Sequence, residues 1–288
     1  MPDQDRYIAG VPCWIDTAHP DPAAAAAFYG GLFGWELENA MPPGSPGSYF
    51  MARLPGGDVA AIGSQPEGAP PAATWNTYVW VDDVDATAAR VRAAGGTVLA
   101  EPFDVMDAGR MAIFADPAGA RFSAWQPDQH RGAAVVNEPG SLNFNILHTP
   151  DAAGASAFYA AVFGWDVLDT GGAGAMWALP AYGDFLEART PGLRKNMAEM
   201  GAPPRFEEVV AALAPAADPS WEVTFAVADA DATAARAVEL GGTVLTPPAD
   251  APWARTTVIA DPQGARFTAS QFVAENRDVE QVAGARQR

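Results

Sequence analysis

The chain has 288 residues, of which 49% are hydrophobic, and its 17 basic and 35 acidic residues give a net charge of −18. A field of that sign repels phosphate backbones, so we expect no nucleic-acid partner. The single cysteine, Cys13, excludes an intrachain disulfide and fits a reducing compartment. The first residues lack the pattern of a signal peptide and no apolar run reaches membrane-spanning length, so we expect a cytoplasmic protein without a membrane partner.

In chain order, the first half predicts two modules of strand–helix–strand–strand–strand. The first helix opens at Asp21-Pro22, an N-cap followed by a proline suited to the first turn, and ends at Gly34, which is suited to a left-handed C-cap. Phe28 and Trp35 are spaced to share one buried face. The other predicted elements are strands at 11–16, 35–40, 49–54, 59–64, 77–81, 97–100, 111–115 and 120–126, and a helix at 82–94.

The second half repeats the first. Phe-Tyr-Gly-Gly-Leu-Phe-Gly-Trp at 28–35 returns as Phe-Tyr-Ala-Ala-Val-Phe-Gly-Trp at 158–165, and Asp116-Pro-Ala-Gly returns as Asp261-Pro-Gln-Gly. Such repeats indicate duplicated structural modules. The elements predicted here are strands at 142–147, 165–170, 175–179, 184–188 and 222–227, helices at 151–163, 204–213 and 229–240, and further strands up to residue 272.

These repeats predict two domains in sequence. The first covers residues 1–130, with modules at 6–65 and 74–127, and the second covers 141–275. Residues 131–140 form the predicted linker and 276–288 a polar tail. An insertion at 190–220 has no counterpart in the first half, and it is expected to be either a lid or an interdomain brace.

A βαβββ module used in pairs, with Phe-Tyr…Phe-Gly-Trp closing its first helix and Asp-Pro-x-Gly before its last strand, resembles the vicinal oxygen chelate superfamily. This superfamily includes glyoxalase I, bleomycin-resistance proteins and extradiol dioxygenases. The resemblance covers residues 8–273. It implies an α+β fold in which four βαβββ modules form two tandem glyoxalase/bleomycin-resistance-like domains. It also implies either a monomer, as an internal pseudo-dimer, or a homodimer.

The same resemblance implies a divalent ion held by His, Gln or Glu on the first and last strands of each module. In the first half these positions are occupied by poor ligands: Trp14, Asn76, Ser123 and the segment 62–64. In the second half they are occupied by Phe144, Glu222, Thr268 and the segment 185–187. A catalytic metal needs about three protein ligands, so we expect no metal and no other cofactor. A residual metal site around Glu187 and Glu222 is the alternative.

Side chains alternate across a strand, so the same positions define the inward faces of the sheets. In the first half this face combines aromatic walls with polar groups: Trp14, Tyr78, Trp80, Trp125, Asp16, Asn76, Arg121 and Ser123. The matching set in the second half is Phe144, Ile146, His148, Glu222, Thr224, Arg266, Thr268 and Ser270, with Trp177 and Trp253 as candidates to close it. Such faces are typical of small-molecule pockets.

Several functions remain open at this point. The leading hypothesis is metal-independent binding of a small aromatic or hydrophobic metabolite, by sequestration or transformation. The alternative is a glyoxalase-like lyase or isomerase, or a hydroxylase-like enzyme, in which Asp16, or His148 with Glu222, acts as acid or base. Asp16 could equally pair with Arg121. A further interpretation is a scaffold whose barrels are filled by their own side chains. His19, which precedes Pro20, is expected to be an exposed loop residue.

Overall fold

The computed structural model describes residues 6–66, 68, 72–169, 175–277 and 279. The elements of the first half are β1 (Pro12–His19), α1 (Pro22–Phe33), β2 (Glu36–Asn39), β3 (Tyr49–Leu54), β4 (Gly57–Ser64), β5 (Thr74–Trp80), α2 (Val84–Ala93), β6 (Thr97–Val105), β7 (Gly109–Ala115) and β8 (Arg121–Pro127). Those of the second half are β9 (Leu142–Thr149), α3 (Ala152–Phe163), β10 (Asp166–Asp169), β11 (Ala175–Ala178), α4 (Pro180–Arg189), α5 (Leu193–Met200), β12 (Val209–Pro215), β13 (Ser220–Ala226), α6 (Ala230–Glu239), β14 (Thr243–Ala251), β15 (Ala254–Ala260) and β16 (Arg266–Phe272).

Each half of the chain forms one mixed sheet of eight strands. The strand orders are β2-β3-β4-β1-β5-β8-β7-β6 and β10-β11-β12-β9-β13-β16-β15-β14. The first strand of each module runs parallel to the fourth, as where Asp16 lies beside Ala61. A parallel pair needs a crossover connection, which the helix and the intervening hairpin strands supply. The predicted α+β fold of four βαβββ modules in two tandem domains is confirmed.

The two repeated helices begin and end as their sequences predict. Asp21 caps α1 by accepting a hydrogen bond from the Ala24 amide at 2.9 Å, and Asp151 does the same for the Gly154 amide of α3. Gly34 ends α1 with φ +72°, a conformation that an L side chain rarely adopts. Local capping chemistry therefore fixes the length of these helices.

Packing divides the chain differently from the repeats. One compact unit, here the first unit, comprises Met1–Trp14, Asn76–Gly132 and Phe144–Trp221. The second unit comprises Ile15–Trp75, Ala133–Asn143 and Glu222–Arg288. Each unit thus combines one module from each half of the sequence. Helices α2 and α3 contact each other in the first unit, and α1 and α6 do so in the second.

The repeated aromatic motif forms the core of each unit. In the second unit, Tyr29 and Trp35 stack with ring centroids 5.5 Å apart, and Trp35 lies 5.7 Å from Phe225. In the first unit, Tyr159 and Trp165 stack at 5.2 Å. Burying large aromatic rings is a major contribution to core stability, worth roughly 1.5–3 kcal/mol per side chain. The motif is therefore structural.

The inserted segment differs from the sequence prediction. It lies between β11 and β12 and contains α4, α5 and a 3₁₀ turn at Phe206–Glu208. The predicted strand at 184–188 is part of α4, and the predicted helix at 204–213 is wrong, since Val209–Pro215 is strand β12. The reason is pairing, because β12 runs parallel to β9 with Ala212 beside Ile146. In the described part of the chain, no helix has the length and apolar character needed to cross a lipid bilayer.

Candidate functional site

Three predicted aromatic residues lie together in the first unit. Trp14, Tyr78 and Trp125 are buried, with Trp14 only 3% exposed. Parallel pairing of β5 with β8 puts Tyr78 beside Ser123. The Tyr78 and Trp125 rings meet edge to face at 6.5 Å. We call Trp14, Tyr78, Ser123 and Trp125 the aromatic face; alternation along the strands accounts for their common orientation.

A histidine that the sequence analysis did not select covers this face. The ring of His130 meets Trp14 edge to face at 4.3 Å, and the Trp125 indole Nε1 donates a hydrogen bond to the His130 carbonyl at 2.9 Å. The backbone of the segment folds back closely, since a Cβ on Gly132 would lie 2.6 Å from the Cys13 carbonyl oxygen. Gly132 lies in the predicted linker 131–140 and has φ +79°, so the glycine itself was the sequence signal for a tight backbone conformation at this point.

Asp16, a predicted catalytic residue, is 8% exposed and lies in the second unit. It accepts a hydrogen bond from the Tyr49 hydroxyl on β3 at 3.1 Å. The prediction did not include Tyr49, because it belongs to a different strand of the module. A buried carboxylate with a phenol donor can bind or orient a polar group of a ligand.

The polar residues predicted to complete the first face differ in exposure. Asn76 is half-buried on β5. Arg121 is exposed, as is its repeat counterpart Arg266. Each arginine is the first residue of its strand and directly follows the Asp-Pro-x-Gly turn region. Both arginines therefore lie at the exposed ends of the predicted inward faces.

The matching strand of the second half is less covered. Phe144, Ile146 and His148 alternate along β9 and are all half-buried. The opposite face of β9 is buried, and there Asn145 accepts a hydrogen bond from the Thr77 hydroxyl at 2.9 Å. His148 therefore lies on the half-exposed face of β9.

Glu222 lies on β13 in the second unit. Its carboxylate accepts a hydrogen bond from the Thr268 hydroxyl on β16 at 2.6 Å. Thr224 is buried beside Thr268 in the parallel pairing of the two strands. The predicted residues Glu222, Thr224 and Thr268 thus form one polar group.

The two tryptophans predicted to close the second pocket lie elsewhere. Trp177 is fully buried in the core of the first unit, with its ring 5.1 Å from Tyr159 and 5.4 Å from Trp165. Trp253 occupies the turn between β14 and β15 at φ +61°, and its ring stacks on Phe272 at 6.3 Å. The assignment of Trp177 to a pocket is wrong, because its side chain points toward Tyr159 on α3.

The donor set does not fit the metal that the family resemblance implies. Trp14 and Ser123 are poor ligands for a divalent ion. The Glu187 carboxylate accepts hydrogen bonds from the amides of Gly192 and Arg194 at 2.8 and 2.9 Å, which hold the pKa of that carboxyl below its ordinary value. Within the described ranges, His, Cys, Asp and Glu side chains form no group of three or more able to hold a metal ion.

The predicted residue Trp80 lines a different feature, an open cleft of about 490 Å³ in the first unit. Its walls come from the segment before β1, the ends of β5 and β8, and α4. The neighbouring Cys13 takes no part, because burial raises the pKa of its thiol far above the ordinary value and keeps it un-ionised.

His19 is buried and paired, so the expectation of an exposed loop residue is wrong. It is the last residue of β1 and is 0% exposed. Its Nε2 donates to Asp261 Oδ2 at 2.6 Å, and the Tyr29 hydroxyl donates to the same oxygen at 2.9 Å. The Trp75 indole donates to the Tyr29 hydroxyl at 3.1 Å. We call these four residues of the second unit the histidine network.

The first unit carries a counterpart without a histidine. The Tyr159 hydroxyl donates to Asp116 Oδ2 at 3.3 Å, and the Trp221 indole donates to the Tyr159 hydroxyl at 2.9 Å. Thr149 stands at the end of β9, where β1 carries His19. We call Asp116, Tyr159 and Trp221 the tyrosine network.

Comparisons with known proteins agree with this architecture. The sequence profile of the glyoxalase/bleomycin resistance protein/dioxygenase superfamily matches residues 14–123, and that of the glyoxalase-like domain matches residues 144–270. Among solved structures, the Mn(II)-bound glyoxalase from Novosphingobium aromaticivorans superposes with a TM-score of 0.59 at 17% identity, over 91% of this chain and 82% of that one. Homoprotocatechuate 2,3-dioxygenase from Arthrobacter globiformis gives 0.58 at 16% identity, over 92% and 81%. These identities support a shared fold alone.

Two sequence relatives are much closer. The putative glyoxylase CFP32 of Mycobacterium tuberculosis (strain CDC 1551 / Oshkosh) is 42% identical, over 93% of this chain and 97% of the relative. The anthracycline biosynthesis protein DnrV of Streptomyces peucetius is 39% identical, over 91% and 94%. The chain therefore belongs to the glyoxalase/bleomycin resistance protein/dioxygenase superfamily, as a member with two tandem glyoxalase-like domains.

Proposed function

We propose that this protein binds a small aromatic or hydrophobic metabolite at the aromatic face, without a resident metal ion, and sequesters or transforms it. The observation that carries this proposal is the composition of that face. The family resemblance implies metal ligands at the positions of Trp14 and Ser123, and Tyr78 lies beside Ser123 with its ring edge to face on Trp125. Aromatic surfaces with a few polar groups suit an aromatic ligand.

Two further points support this function. Anthracyclines, named in the description of the relative DnrV, are polycyclic aromatic compounds. The half-buried His130 adds an imidazole, a polar ring, beside Trp14. As part of the proposal, the protein works in the cytoplasm as a monomer or homodimer, and its partner is the small molecule.

Thermal shift against planar aromatic compounds, including anthraquinones, tests the proposal. Binding to the folded chain raises the melting temperature, by mass action. Trp14→Leu should abolish the shift, whereas Phe144→Leu, the equivalent change on β9, should preserve it. His130→Gln provides a milder change of the same face if Trp14→Leu does not fold. A panel that leaves the wild-type melting temperature unchanged would contradict the proposal.

A glyoxalase-like lyase is the second candidate, favoured by the 42% identical relative described as a putative glyoxylase. Glu222, with Thr268 as its hydrogen-bond donor, is the base that we would assign to it. The test is turnover of the hemithioacetal of methylglyoxal and glutathione, together with elemental analysis of protein purified without chelator. Activity lost in Glu222→Gln, with stoichiometric metal, would favour the enzyme and overturn metal-independent binding.

A further inference from the structure

Two aromatic side chains stand together on the surface of the second unit. Trp253 lies in the turn between β14 and β15, and Phe272 is the last residue of β16. Their rings are within 15° of parallel, with centroids 6.3 Å apart. Because stacked carbon atoms lie roughly 3.5–4.0 Å apart, rings with centroids this far apart overlap only in part. Phe272 is 69% exposed, so the pair offers apolar ring surface to a ligand.

The backbone holds Trp253 in place. Its φ of +61° is a conformation that bulky side chains rarely adopt, so the surrounding contacts must support it. The Trp253 amide donates to the Asn276 carbonyl at 3.2 Å, and the Val273 amide donates to the Trp253 carbonyl at 2.8 Å. The Asn276 side chain donates to the Ala254 carbonyl at 2.8 Å. The indole is thus positioned beside Phe272 before any ligand binds, which lowers the entropic cost of binding.

Hydroxyl side chains continue the same face of the sheet. Residues of a strand alternate between its two faces, so Thr268, Ser270 and Phe272 share one face of β16. Thr256 on β15 lies directly opposite Ser270, and directly opposed residues share a face. Ser270 and Phe272 are two residues apart, which is roughly 7 Å along a strand, about the width of a sugar ring. Two half-buried hydroxyl side chains, Ser270 and Thr256, therefore lie next to the aromatic pair.

This row of hydroxyl groups ends in the interior. The Thr268 hydroxyl donates to the Glu222 carboxylate at 2.6 Å, so its oxygen presents lone pairs to a further partner. Thr224 lies beside Thr268 on β13 and is 4% exposed. Its hydroxyl oxygen has no hydrogen-bond partner in the described part of the chain. Buried hydroxyl groups are seldom left unsatisfied, so the inner end of the row indicates a hydrogen-bonding group that comes from outside the chain.

The aromatic pair and the hydroxyl row together match a sugar ring. The face of an aromatic ring carries partial negative charge, which attracts the C–H groups on one face of a pyranose. The hydroxyl groups at the edge of the sugar donate and accept hydrogen bonds, as do those of serine and threonine. The first half of the sequence has Trp125 and Met111, also opposite each other, where the second half has Ser270 and Thr256. The hydroxyl pair therefore belongs to the second half alone.

We propose that this surface binds a pyranose sugar, free or as part of a glycoside. The C–H face of the sugar lies on Trp253 and Phe272, and its hydroxyl groups bind Ser270 and Thr256. The site shares no residue with the aromatic face, so this inference goes beyond the proposed function. Either site can fail its test without the other.

Saturation-transfer NMR with a panel of methyl pyranosides, which differ in the configuration of their hydroxyl groups, tests the proposal. At least one member should bind, with the strongest transfer to the C–H protons on one face of its ring. Methoxycyclohexane has the same ring size without the ring hydroxyl groups, and it should bind at least about tenfold more weakly. Ser270→Ala should weaken pyranoside binding by roughly fivefold, the loss expected for one neutral hydrogen bond.

Phe272→Ala and Trp253→Asn each remove one ring of the pair. Each should weaken pyranoside binding by roughly fivefold or more, through the lost aromatic contact. Asparagine tolerates a positive φ, so Trp253→Asn keeps the turn. Val238→Ala is the matched control, because Val238 is another exposed apolar residue of the second unit, 56% exposed on α6. This control should leave the affinity unchanged.

Several results would overturn the proposal. One is wild-type protein that binds no pyranoside of the panel. Another is methoxycyclohexane that binds as tightly as the pyranoside, and a third is equal weakening by Phe272→Ala and Val238→Ala. Pyranoside binding that Trp14→Leu abolishes and Phe272→Ala leaves intact would also contradict it, and would assign the sugar to the aromatic face instead.

Discussion

The histidine network and the tyrosine network are two versions of one repeated design. In both, the carboxylate of an Asp-Pro-x-Gly turn uses Oδ1 to accept amides of its own turn, as Asp116 does from Gly119 and Asp261 from Gln263. In both, Oδ2 accepts a hydrogen bond from the hydroxyl of a core tyrosine. The difference is His19, which adds a buried histidine–carboxylate hydrogen bond in the second unit, where the first unit has Thr149.

This difference shows how a duplicated fold can change a buried polar cluster at a single position. Asp116 shows that the carboxylate is buried and hydrogen-bonded even in the network that has no histidine. A histidine that joins this network needs a proton on Nε2, because the carboxylate can only accept hydrogen bonds. The network thus fixes a proton on His19 Nε2, and removing the Asp261 carboxylate leaves that buried N–H without its acceptor.

The largest effect that this comparison predicts is at the aspartates. Asp261→Asn should lower the free energy of unfolding by about 3–5 kcal/mol, since it leaves His19 buried beside an amide. Asp116→Asn should cost about 1–3 kcal/mol, because it disturbs the tyrosine hydrogen bond and no histidine contact. Urea unfolding followed by circular dichroism measures both. Equal losses would show that the His19–Asp261 contact adds nothing to the shared design.

The sequence predicted the modules because their signals are local. Asp21 and Gly34 cap a helix through contacts within a few residues, and Trp14 shows its orientation through strand alternation. His19 could not be interpreted in this way, because its partner Asp261 lies 242 residues along the chain. His130 was missed for a related reason, since it lies in a polar segment whose return to β1 depends on tertiary packing.

A second prediction concerns His19 itself and should be smaller. His19→Thr gives the second unit the residue that the first unit carries. We expect a loss of about 1–3 kcal/mol, from the missing hydrogen bond and the space that the shorter side chain leaves. Asp261 keeps the Tyr29 hydroxyl and its turn amides, so its carboxylate is not stranded.

The double variant sharpens this prediction. In the His19→Thr background, Asp261→Asn should cost about as much as Asp116→Asn does in the wild-type chain. The resulting coupling energy between His19 and Asp261, expected at about 0.5–3 kcal/mol, isolates the pair from the rest of the network. Additive losses would mean that the 2.6 Å contact contributes no net coupling.

The smallest expected effect is in the pH dependence of stability. Burial alone would raise the pKa of Asp261, but the hydrogen bond and charge of His19, the Gln263 amide and the Tyr29 hydroxyl outweigh it and hold that pKa below its ordinary value. In the unfolded chain an aspartate has a pKa of about 3.9. The carboxylate therefore contributes stability above that pH, and the contribution is lost as the pH falls through the lower, folded value.

Below about pH 4, the unfolding free energy of the wild-type chain should consequently fall more steeply than that of Asp261→Asn. Other acidic groups titrate in both proteins, so the difference between the two curves reports Asp261, and parallel curves would contradict its role in the network.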